Sequence, residues 1–208
     1  MLIVNTPAAD RTLLTIDELR EATGVADASK DDALMRLGDR VATSITGACK
    51  IARAGATPPT LRQETLTETF RSHRFRHDGG RDDRDLLLAR RPIVSVASVT
   101  IDGTVLDPPS YEIDASAGIL RRLGCGWYGC VITAVYDAGW NEVPGNLALA
   151  AMKLATALWS ESTRDPNLRR VQVEGISLRE YWVPPTSDPL LSTEIVDLLV
   201  PFTETPLG

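Results

Sequence analysis

The sequence predicts an α+β protein, a small α-helical bundle with an inserted antiparallel β-rich subdomain and an extended C-terminal tail carrying a short helix. Three observations predict it. Apolar residues recur at three- and four-residue steps over Leu34–Ala48 and run almost unbroken over Leu147–Trp159, the patterns of helices with a partner surface. Between them the chain is rich in Thr, Val, Ile and turn dipeptides, which favour short strands. Late in the chain Pro184, Pro185 and Pro189 forbid regular structure before Ser192, a good N-cap, opens a last segment. The helical core is accordingly drawn from residues 12–54 and 141–165, the β-rich insertion from 60–140, and the tail from 166–208.

Each element has a local reason. Thr15 and Glu18 stand at capping-box spacing and Gly24 follows, so a short helix runs between them. Ser29 and Asp32 open a second helix, whose stripe is Leu34, Leu37, Val41, Ile45 and Ala48. Gly55 to Pro59 breaks it. Strands are expected at Leu61–Phe70, Ile93–Ile101, Tyr111–Ile113, Ile119–Leu123 and Val131–Tyr136, with Asp102-Gly103 as a hairpin turn and Asp107–Ser110 as another. From Arg71 to Asp85 charges of both signs surround Gly79-Gly80, and an exposed loop is expected.

Pro144 suits the first turn of a helix, where its missing N–H costs nothing, and only Lys153 and Thr156 interrupt the apolar run after it. A helix apolar nearly all round must be covered on most sides, at a bundle centre or a subunit interface. Leu147, Ala151, Leu154 and Leu158 are its expected packing positions. A β-like stretch, Arg170–Trp182, precedes the tail.

Composition limits the function classes. The chain has 208 residues, enough for one domain with an insertion or two small ones. Its formal net charge of -6 opposes attraction to phosphate, and 5% aromatics leave few rings for stacking on bases. No apolar run approaches membrane length and no signal-like start is seen, so a cytosolic product with reduced Cys49, Cys125 and Cys130 is expected.

Candidate chemistry yields to plainer readings. Gly124 to Gly129 fits G-x-G-x-x-G, yet a strand pattern follows it, Trp127 and Tyr128 fill it, and position 149 is Leu149 where an acid would bind a ribose. Cys125, Cys130, His73 and His77 have poor zinc spacing. A hydrolase would need His73 or His77 as its base, in the charged loop where geometry is hardest to hold. Asp82, Asp83 and Asp85 are interleaved with Arg81 and Arg84, which neutralise them. No catalytic residue, cofactor or metal site is therefore expected.

The segments in order resemble the head-to-tail connector (head completion, adaptor) family of tailed phages, also found in gene transfer agents. Leu14-Thr15-Ile16-Asp17-Glu18-Leu19 and the helix at Asp31–Cys49 are similar to that family's opening. The most specific part is Tyr136, Gly139, Trp140, Val143 and Pro144 before the apolar helix, which resembles its strand, Tyr-x-x-Gly-aromatic turn and Val-Pro entry. Glu174-Gly175-Ile176-Ser177 to Tyr181 is similar to its polar loop and Ile195 to Phe202 to its last helix; the likeness spans residues 12 to 202. The insert is longer, and the tail after Trp182 richer in proline, than that pattern.

The resemblance implies a structural subunit, not an enzyme. Twelve copies would form a ring joining the portal to a stopper or tail-completion protein, around a channel that DNA traverses without sequence-specific contacts and with no membrane contact. Synthesis would be in the bacterial host cytoplasm and the final place the head-tail junction of the virion. Tyr181, Trp182, Ile195, Leu198, Leu199 and Phe202 would form the portal-binding tail. The rival readings are a small regulatory or DNA-binding protein, marked by salt-sensitive duplex binding, and a metal-dependent enzyme, marked by stoichiometric zinc.

Overall fold

The computed structural model describes residues 1–71, 84–127, 130–163, 170–173, 177–180 and 191–204. In chain order the elements are β1 (Leu2–Thr6), α1 (Ile16–Thr23), α2 (Asp31–Ala48), β2 (Glu64–Arg71), β3 (Asp85–Leu87), β4 (Ile93–Ile101), β5 (Thr104–Val105), β6 (Tyr111–Asp114), β7 (Ile119–Arg122), β8 (Val131–Ala138), α3 (Gly145–Thr163), β9 (Arg170–Val173), β10 (Ser177–Glu180) and α4 (Thr193–Leu199). The fold is α+β with antiparallel sheets and a short last helix. Two compact units divide it: Met1–Arg11 with Cys49–Val143 and Glu204–Gly208, and Thr12–Ala48 with Pro144–Thr203.

The first unit is built around β8. Its neighbours β2 and β4 pair with it along nearly its whole length, within a five-stranded sheet of order β1-β2-β8-β4-β5. Alternation along β8 turns Ile132, Ala134, Tyr136 and Ala138 inward, where they join Leu66, Val99, Leu120 and Trp127 in the core. A second sheet, β3-β7-β6, carries the bidentate pair of Arg121 with Asp85 at 2.6 and 2.8 Å. Asp102 and Gly103 both have positive φ, 48° and 84°, the geometry of the tight hairpin their sequence predicts between β4 and β5.

The sequence gives no sign of β1 or β3. β1 is an edge strand of five residues whose partner, β2, lies some sixty positions away, and β3 has three residues, too few for alternation to register. The two cysteines near the Gly-rich stretch differ in environment: Cys125 is exposed and Cys130 is buried. Trp127, read as a loop residue, is one of the largest buried side chains; its Nε1 donates to the Arg84 carbonyl at 2.6 Å and Arg122 lies over its ring at 5.5 Å. Tyr128, Gly129 and residues 72–83, including His73 and His77, lie outside the described residues.

In the second unit α3 packs against α1, α2 and α4. The capping box is as expected: Glu18 N–H donates to Thr15 Oγ1 at 3.3 Å and Thr15 N–H to Glu18 Oε2 at 2.7 Å, with Gly24 left-handed at the other end. The opening of α2 differs from expectation. Asp27, not Ser29, is the cap; its carboxylate accepts from Ser29 N–H at 2.9 Å, and a 3-10 turn over Ala28–Lys30 leads into the helix. An aspartate two residues upstream competes well because its ionised oxygen accepts more strongly than a hydroxyl. Along α3, Leu147, Ala150, Ala151, Leu154, Ala155 and Leu158 are buried, while Leu149 is 44% exposed. β9 and β10 form an antiparallel pair within the stretch expected to be β-like.

Candidate functional site

A group of ionisable side chains is buried in the first unit. On β2, Glu64, Leu66 and Glu68 share one face by the two-residue period, so two carboxylates enter an apolar interior. Arg90, 4% exposed, lies between loops: its guanidinium donates to the Thr60 carbonyl at 2.6 Å and the Ala52 carbonyl at 2.7 Å, and approaches Glu64 at 3.9 Å. From far along the chain comes Glu204. Its backbone N–H donates to the Cys49 carbonyl at 2.9 Å, and its carboxylate accepts from Ala52 N–H at 3.4 Å. Glu68 accepts from Ala89 N–H and from Tyr136 Oη, each at 2.9 Å.

Burial sets the charge states. It raises the pKa of Glu64 and of Glu204, with Arg90 pulling both back, and raises that of Glu68 against the Ala89 and Tyr136 hydrogen bonds. Arg90 is lowered by burial and held up by Glu64 and Glu204. Burial also raises the Tyr136 hydroxyl, with the Glu68 charge adding to it, and pushes the Cys49 thiol up to about 12, with Glu204 adding. These groups meet main-chain atoms of the segments at Cys49–Ala52, Thr60 and Ala89, so what the arrangement does is fasten those segments to β2 and β8. The sequence reading missed Glu64, Glu68, Arg90 and Glu204. A signal was present on β2, since an alternating strand with Glu64 and Glu68 in phase with Leu66 has charge on its core side.

The sequence motif lies next to this lock. Tyr136 is fully buried. Gly139 has φ 105°, and a Cβ there would stand 2.5 Å from the Arg62 carbonyl oxygen, so glycine is required twice over. The close approach lets the Trp140 N–H donate to the Leu61 carbonyl at 2.9 Å and the Trp140 carbonyl accept from the Gln63 N–H at 3.2 Å. Val143 and Pro144 are half-buried, and they mark the passage from one unit to the other.

The remaining expected positions separate by environment. Leu147, Ala151, Leu154 and Leu158 are buried together in the helical unit. Ile195 and Leu199, expected in a partner-binding tail, are buried too, and Lys153 meets Glu194 at 2.8 Å where α3 and α4 pack. Leu198 and Phe202 are half-buried, and Tyr181 and Trp182 lie outside the described residues. Among the described residues no group of three or more His, Cys, Asp or Glu is placed to hold a metal ion, and no helix is long and apolar enough to cross a membrane.

The chain is thus an α+β protein with a sheet unit that buries charge and a unit in which α3 packs against α1, α2 and α4. This fold is shared with proteins in gene transfer agent (GTA) particles. One is in the neck of an empty GTA particle computed with C6 symmetry, with a TM-score of 0.60 and 17% identity over 100% of this chain and 97% of the other. Another is in the neck of a native GTA particle computed with C12 symmetry, at 0.57 and 17% over 100% and 98%. A third, in the virion of a native particle, gives 0.55 and 19% over 81% and 88%. No protein-family model and no curated protein matches the sequence.

Proposed function

We propose that this chain is a structural subunit of the head-tail connector of a phage or gene transfer agent particle, an adaptor whose ring of twelve joins the portal to a stopper or tail-completion protein. The observation that carries the reading is the likeness over the whole chain to proteins in particle necks of C12 and C6 symmetry. The role is binding, not catalysis. Heterologous contacts closed by rotation produce such a ring, and the net acidity of the chain would let DNA slide through its channel instead of adhering.

Within this reading Tyr136, Gly139, Trp140, Val143 and Pro144 are a structural motif that leads from β8 into α3. Ile195 and Leu199 hold α4 on the helices, which leaves Tyr181, Trp182, Leu198 and Phe202 for the portal. Free subunits are monomeric and order on the portal. The test is removal of the gene from its particle-producing host: DNA-filled heads that lack tails are expected, and normal tailed particles would overturn the reading. Light scattering of the purified chain alone and with portal checks the assembly order, since a fixed dodecamer in both would exclude portal-triggered closure.

A further inference from the structure

Two surfaces of the helical unit are chemical complements. Between α2 and α3 lies a groove of about 270 Å³ whose floor is Ala33, Leu37, Leu158 and Trp159. Arg36 and Arg40, one turn apart and both exposed, flank it, and among the described residues neither has an ion-pair partner. The second surface is the outward stripe of α4 and of the 3-10 turn Val200–Phe202 that follows it. Val196 and Val200, 45% and 63% exposed and also one turn apart, flank Asp197, which has no cationic partner among the described residues. An aspartate near a helix C-terminus is unfavourable beside the carbonyl ends, so Asp197 gains most from a cation supplied from outside.

We propose that the Val196–Asp197–Val200 stripe of one copy seats in the Arg36/Arg40 groove of the next. Two valines four residues apart span about 6 Å along the helix, the separation of the two arginines. Lys153 and Glu194 hold α4 beside the middle of α3, whereas the groove occupies α3 at Leu158 to Ser162, and the stripe faces away from the buried Ile195 and Leu199. The two surfaces therefore meet between copies, head to tail, which is the contact a closed ring repeats. The inference deepens the ring reading and rests on it.

The experiment uses the full chain with Cys125→Ser, because Cys125 is exposed while Cys49 and Cys130 are buried. Ser162→Cys chains and Val200→Cys chains are mixed in the presence of portal and oxidised. Disulfide dimers linking one kind to the other are expected to exceed same-kind dimers several-fold. Arg36→Glu with Arg40→Glu in the first chain suppresses them, and Asp197→Arg in the second restores them. Equal yields of all dimers, or indifference to charge reversal, would overturn the contact. If the gene is needed for tailed particles but no cross-kind dimer forms, this contact fails and the adaptor reading stands.

Discussion

The two units solve the problem of burial in opposite ways. In the helical unit a single face of α3 collects Leu147, Ala151, Leu154 and Leu158, and its resolved ion pairs, Arg20 with Asp17 and Asp31 and Lys153 with Glu194, stand at the surface. In the sheet unit Arg90, Glu64, Glu68 and Glu204 go inside with the apolar residues. Burying charge stabilises less than burying methylenes, yet removing one partner leaves the others exposed to a dry interior. The difference teaches where each unit is fragile: the helices to lost volume, the sheet to a lost charge.

The comparison can be broken most directly at Arg90. Arg90→Ala should cost the sheet unit about 3 to 5 kcal/mol, because three carboxylates lose their shared cation; urea unfolding followed by the fluorescence of a chain in which Trp140, Trp159 and Trp182 are replaced by Phe, leaving Trp127 as reporter, measures it, and a loss below about 1 kcal/mol would mean that water reaches the cluster. The matching change in the helices is Leu154→Ala. A cavity at the α3 face should cost about 2 to 5 kcal/mol, read from helical circular dichroism on urea titration. Tyr136→Phe keeps the ring and removes one donor to Glu68, for about 1 to 2 kcal/mol in the same fluorescence assay. Thr15→Ala, which opens the capping box, should cost about 1 kcal/mol, seen as faster amide exchange in α1 alone.

A change of pH is the mildest perturbation and should move the units in opposite directions. Glu64, Glu68 and Glu204 are raised in the folded state, so their contribution is full below the ordinary carboxylate range and is lost as pH rises through their folded values. Asp114, lowered by its Ala117 and Ser116 hydrogen bonds, opposes them in part. In the helical unit Asp27 is lowered by its Ser29 hydrogen bonds, so its contribution is lost on acidification. Taking pH from 7 down towards the carboxylate range should therefore protect the amides of β8, after correction for intrinsic exchange, and loosen the start of α2. Parallel responses in hydrogen exchange would erase the distinction.

What the sequence determined by itself is whatever depends on neighbours a few residues apart. The capping box at Thr15, the left-handed stop at Gly24, the Asp102-Gly103 turn, the Ser192 cap and the apolar face of α3 are all local, since a helix or a tight turn satisfies its own backbone. Tertiary structure decided the rest. β1 exists only because β2 offers it a ladder, Trp127 is a core residue only because the Arg84 carbonyl waits for it, and Glu204 reaches Cys49 and Ala52 across most of the chain. No window of sequence contains both members of such a pair, and buried polar groups are stable only when the distant partner arrives.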